Sequence, residues 1–205
     1  RRSARTPGLI MKTLRSAVGL LSLALVLAGI ALWAFQAPPP PTEPLQIGGD
    51  FTLISHAGGP VDTAEAFAGR PMLVTFGYTA CPDVCPTSLL HRVVAAEQTA
   101  VDEALVFVSI DPARDTPETL AAYAALFSSD LTGFTGSPEA VEAVKADWAV
   151  YAARHDDDAF SDYLMDHTSL IFLTDAEHRV VETFRSGTSP EALASAIEAR
   201  FSGNG

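Results

Sequence analysis

After residue 50, short apolar runs alternate with stripes of helical period. Phe51, Thr52, Leu53 and Ile54 predict a short strand, turning at Ala57, Gly58, Gly59 and Pro60. Residues 72–78 and 104–110 are continuous β-prone apolar runs, the pattern of strands covered on both faces. Residues 86–100 predict a helix with Pro86 in its first turn. A second helix opens at Thr116-Pro117-Glu118, where Thr116 caps and Leu120, Tyr123, Ala124 and Phe127 form the apolar stripe. Residues 138–153 predict a third, with Val141, Val144, Trp148 and Tyr151 on one side. Strands at 169–174 and 179–184, joined by a turn at 175–178, precede a last helix capped by Ser189 before Pro190. Strand–helix–strand–helix followed by a hairpin and a closing helix predicts an α/β domain around a central mixed sheet.

The first 44 residues follow other rules. Residues 17–35 carry no charge and are almost wholly apolar, about the length a helix needs to cross a bilayer. Arg1, Arg2, Arg5, Lys12 and Arg15 precede this run, and no acidic residue does. That asymmetry predicts a cytoplasmic basic segment (1–16), a single membrane anchor (17–35) and an exported remainder. The rival reading is a cleaved signal peptide. Residues 36–44 are proline-rich and predict a stiff spacer, which leaves 45–205 as one domain. The setting expected is the inner membrane of a bacterium, with the soluble domain in the periplasm. Residues 36–205 hold 8 Lys/Arg against 25 Asp/Glu, a formal charge of −17, which argues against nucleic acid and anionic lipid as partners of this domain.

The chain has two cysteines, Cys81 and Cys85, in the run F-G-Y-T-A-C-P-D-V-C-P at 76–86. They fall where a buried strand gives way to a helix, and backbone N–H groups at a helix start favour a thiolate. Four residues apart on a helix, Cβ atoms stand about 5–6 Å from each other. A disulfide wants about 3.5–4.5 Å. The spacing suits two sulfurs on one soft metal ion slightly better than a direct bond, and a reversible Cys81–Cys85 disulfide stays open beside it.

Two thiolates rarely complete a metal site. Of five histidines, His91 should face away along its helix, His155 lies in an acidic polar run expected to be a solvated loop, and His56 and His178 fall at turns. His167 stands in M-D-H-T-S directly before a core strand, in a loop that a thioredoxin-like domain would pack beside the thiols. Two sulfurs and an imidazole suit copper(I), which is content with three ligands, better than structural zinc, which wants four. Asp83 and Asp166 offer hard oxygens that would help copper(II). Asp83 is otherwise expected to accept backbone N–H bonds at the helix start. Asp111, Arg114 and Asp115 read as a salt-bridged loop before a capped helix.

Four motifs stand in order: the cysteine run, S-I-D-P-A-R-D-T-P at 109–117, T-G-F-T-G at 132–136, and D-H-T-S at 166–169. In these the chain resembles the Sco/SenC family of cytochrome c oxidase assembly proteins. The resemblance implies a thioredoxin-like fold and one copper ion held by Cys81, Cys85 and His167. It also implies delivery of copper to the copper A centre of oxidase subunit II, or reduction of that centre's cysteines, alongside other periplasmic copper chaperones or thiol reductants. The family usually carries histidine directly before the first cysteine. Here that residue is Ala80, so any tuning role of that histidine is lost.

Overall fold

A computed structural model describes residues 20, 22–29, 46–156 and 163–201. The chain divides into two compact units, Arg1–Leu45 and Gln46–Gly205. In the first, residues 22–29 are helical and exposed. The expected anchor at 17–35 lies mostly outside the described residues, among which no helix is long and apolar enough to cross a membrane.

The second unit is built on a seven-stranded mixed sheet. Its elements in chain order are β1 (Thr52–Ser55), β2 (Pro60–Asp62), α1 (Thr63–Ala66), β3 (Met72–Gly77), α2 (Val84–Ala96), β4 (Ala104–Ser109) and α3 (Pro117–Ala124). Then come β5 (Leu131–Thr135), α4 (Pro138–Asp147), β6 (Ala152–His155), β7 (Leu164–His167), β8 (Leu170–Thr174), β9 (Val180–Arg185) and α5 (Pro190–Phe201). Sheet order is β2-β1-β5-β4-β3-β8-β9, while β6 and β7 pair as a separate hairpin. The central β5-β4-β3 strands are parallel, and β8 joins β3 antiparallel.

Every residue of β3 and β4 is buried, as continuous apolar runs require. Alternate side chains point to two cores. Met72, Val74 and Phe76 pack on one face with Trp148 and Val144 of the α4 region. Leu73 and Phe107 pack on the other with α2, α3 and α5 through Leu89, Leu120 and Leu193. Thr116, Ser137 and Ser189 each accept a backbone N–H at the start of a helix whose first residue is proline.

The structure corrects several sequence expectations. The third helix stops at Asp147 rather than near 153, because Ala149 takes a left-handed φ of 53° that breaks the helix. Trp148 is buried but Tyr151 is 66% exposed, so they do not share an apolar face. His155 lies on strand β6, not in a loop. Residues 131–135, expected only as a motif, form β5 and hydrogen-bond to both β1 and β4. His178 does fall at a turn, yet it is buried, with its ring against Asp50 and the carbonyls of Phe67 and Arg70.

Candidate metal and thiol site

The two thiols sit at the carboxyl end of β3. Cys81 lies in the loop after the strand, its amide bonded to the Tyr78 carbonyl at 3.2 Å. Cys85 is the second residue of α2 and is buried. Both are free thiols. The Cys85 amide points at the Cys81 sulfur, 3.4 Å away. The expectation that Asp83 would cap this helix fails, because its side chain accepts no capping bond. The sulfur of Cys81 takes that place, accepting from the backbone at Asp83 and Cys85.

This geometry splits the two thiols. The Cys85 thiol hydrogen-bonds to Cys81 and, with the two backbone N–H groups and the nearby His167, lowers the Cys81 pKa to about 5 against the opposing effect of burial. Cys85 is pushed strongly upward, first by giving its hydrogen to Cys81, then by burial and by the charge beside it. A half-buried thiolate therefore stands next to a buried, protonated thiol.

His167 ends β7 and is delivered to the same place. Its Nε2 lies 3.7 Å from the Cys85 sulfur, and its ring meets the Tyr78 ring edge-on at 5.9 Å between centroids. Burial lowers its pKa, the direction that keeps an imidazole neutral and able to donate a lone pair. Gly77 makes room for this packing, since a Cβ there would lie 2.7 Å from the Cys85 sulfur and 2.9 Å from Phe107 Cε2. A cavity of about 10 Å³ opens beside Cys85, His167, Ser88 and Phe107, room for roughly one water molecule and too little for an organic substrate.

His91 and His56 are occupied elsewhere. His91 Nδ1 is 2.9 Å from the Thr188 carbonyl, and His56 Nδ1 accepts the Gly133 amide at 2.8 Å. Among the described residues, no three His, Cys, Asp or Glu side chains are gathered tightly enough to hold a metal ion as they stand. Cys85 and His167 already meet, and Cys81 is one hydrogen bond from Cys85, so the donor set suits a soft ion once the sulfurs and imidazole close on it.

Asp111 and Arg114 form the expected ion pair. Asp115 is fully buried and bridges the thiol loop to β4, accepting from the Thr79 amide and hydroxyl and from the Ser109 hydroxyl. Burial raises its pKa despite those three donors.

A family model described as SCO1/SenC matches residues 39–202. The chain belongs to the SCO1/SenC family. Protein SenC of Rhodobacter capsulatus is 38% identical over 156 residues, covering 74% of this chain and 69% of that protein. The copper-bound structure of Bradyrhizobium japonicum ScoI is similar at 37% identity with a TM-score of 0.66, covering 75% of this chain and 98% of that one. Copper-bound ScoI of Arabidopsis thaliana aligns at 33% identity with a TM-score of 0.70 and the same coverage. The α/β architecture and mixed sheet of this SCO1/SenC chain match these thioredoxin-like relatives. Of its sequence-derived site residues, Cys81, Cys85 and His167 come together, whereas the Asp83 side chain makes no bond to the helix it precedes.

Proposed function

We propose that this chain is a membrane-anchored copper chaperone that serves assembly of the copper A centre of cytochrome c oxidase. The approach of His167 Nε2 to the Cys85 sulfur, 3.7 Å across two separately folded elements, carries the reading. A protein using only its thiols has no need of an imidazole there. Cys81, Cys85 and His167 would hold one copper(I) ion as cargo. The sulfurs supply soft ligands, and the imidazole supplies a neutral third. Copper-bound relatives in a shared family support the choice of metal. The domain would stand in the periplasm behind a spacer and an anchor at 17–35, and its client would be oxidase subunit II or another copper acceptor.

A second reading has its own observation. An acidic, half-buried thiolate at Cys81 beside a protonated Cys85 is the pairing a thiol–disulfide oxidoreductase uses. Cys81 would attack a client disulfide, releasing one client thiolate. Cys85 would then displace the second, leaving a reduced client and a Cys81–Cys85 disulfide that an external thiol reductant must reopen.

Oxidase maturation in cells carrying His167→Ala separates the two. The chaperone reading expects loss of oxidase activity at low copper and recovery on copper supplementation, with both thiols intact. Full activity of that variant at low copper would replace it with the oxidoreductase.

A further inference from the structure

Among the described residues β7, which carries His167, pairs with β6, and neither strand joins the seven-stranded sheet. The thiols belong to that sheet's β3 end. The short link Thr168-Ser169 ties His167 to β8, the antiparallel neighbour of β3, and side-chain contacts hold the rest of the hairpin in place.

Ala152 and Met165 pack on the core from the two strands, and a second set of contacts converges on Tyr163, the residue before β7. Its hydroxyl donates to Asp111 Oδ1 at 2.7 Å, and its carbonyl accepts from Arg114 Nη1 at 2.9 Å. Its ring lies between two guanidinium groups, Arg114 at 3.7 Å and Arg154 of β6 at 4.0 Å from the centroid. Arg114 is paired with buried Asp111 and also lies 5.6 Å from the ring of Tyr78, the ring that meets His167 edge-on. The end of β4, both strands of the hairpin and the wall of the site thus meet at one aromatic side chain.

We propose that Tyr163 is a positioning residue that fastens the β6–β7 hairpin to the thiol-bearing sheet and so sets how readily His167 reaches a metal held by Cys81 and Cys85. The proposal rests on the three-donor reading above. Tyr163 directly precedes the strand that carries His167, so its effect on the site is read through that histidine. Loss of its hydroxyl removes the hydrogen bond to Asp111, while the ring stays between the two guanidinium groups.

Two measurements on Tyr163→Phe test this. Amide hydrogen exchange should rise about tenfold across 164–167, the change expected from losing one such bond, while β3 and β4 exchange as in the wild type. Copper(I) affinity should fall about tenfold in the wild-type background and not fall further in a His167→Ala background. An equal loss in both backgrounds would overturn the proposal, because the tyrosine would then act independently of the histidine. Unchanged exchange and unchanged affinity would overturn it as well. If His167→Ala itself leaves copper affinity unchanged, the three-donor reading fails. The exchange result alone then decides whether Tyr163 fastens the hairpin.

Discussion

The backbone N–H of Cys85 points at the sulfur of Cys81 across 3.4 Å, in the position a capping carboxylate or hydroxyl usually fills at a helix start. One thiol thus serves as the acceptor for the helix that carries the other. The partial positive charge of that helix end, the second thiol and the nearby imidazole all favour the anionic form of Cys81.

Alkylation should read this directly. With a pKa lowered to about 5, Cys81 is a thiolate from pH 6 upward, and its rate with iodoacetamide should be flat there and fall only as pH drops through about 5. Cys85 should react slowly across the same range, since its thiol is buried and pushed the other way. Cys85→Ala removes the largest stabilising bond and should move the Cys81 transition upward. A wild-type Cys81 transition near the ordinary thiol value would contradict the hydrogen-bonding scheme.

Gly77→Ala places a methyl 2.7 Å from the Cys85 sulfur, beside a phenyl edge that is itself buried. Overpacking of this kind costs about 1–3 kcal/mol. Urea unfolding should show that loss, and copper(I) affinity should drop with it because Cys85 is displaced. Wild-type stability and affinity together would mean the site is looser than its geometry.

His178→Ala separates stability from the site. The ring is 2% exposed and holds Asp50 and two carbonyls, far along the chain from the thiols. Its removal should destabilise by about 2 kcal/mol in urea unfolding and leave copper affinity unchanged. His91→Ala and His155→Ala should also leave affinity unchanged.

The N-terminal reading is tested by fractionation. A chain begun at Leu45 should be soluble, monomeric and folded, whereas the full chain should sediment with membranes and resist alkaline extraction. Recovery of the protein in the soluble periplasmic fraction, cut after Ala37, would replace the anchor with a cleaved signal.

Much of the fold was legible because β3, β4 and β8 are near-continuous apolar runs and three helices announce themselves with a hydroxyl residue before proline. The β6–β7 hairpin was not, since each strand is two apolar residues followed by two polar ones, which gives no alternation of apolar and polar positions. The end of α4 was missed because Ala149 adopts a left-handed φ without the glycine that usually marks it. Residues 131–135 include Thr132 and Gly133, which masked a central strand. That Cys81, Cys85 and His167 would lie near one another was readable from residue type and order. The role of Cys81 as a cap, the contact behind Gly77 and the fastening at Tyr163 depend on atoms brought together from distant parts of the chain, which spacing does not encode.

Copper(I) titration of the reduced protein against a competing chelator, for the wild type and His167→Ala, tests the central claim most directly. The three-donor site predicts one copper per chain, loss of tight binding in Cys81→Ser and in Cys85→Ser, and weakening of about a hundredfold in His167→Ala, the scale of about 2.7 kcal/mol for one lost ligand. Identical copper(I) affinity of His167→Ala and the wild type would contradict it.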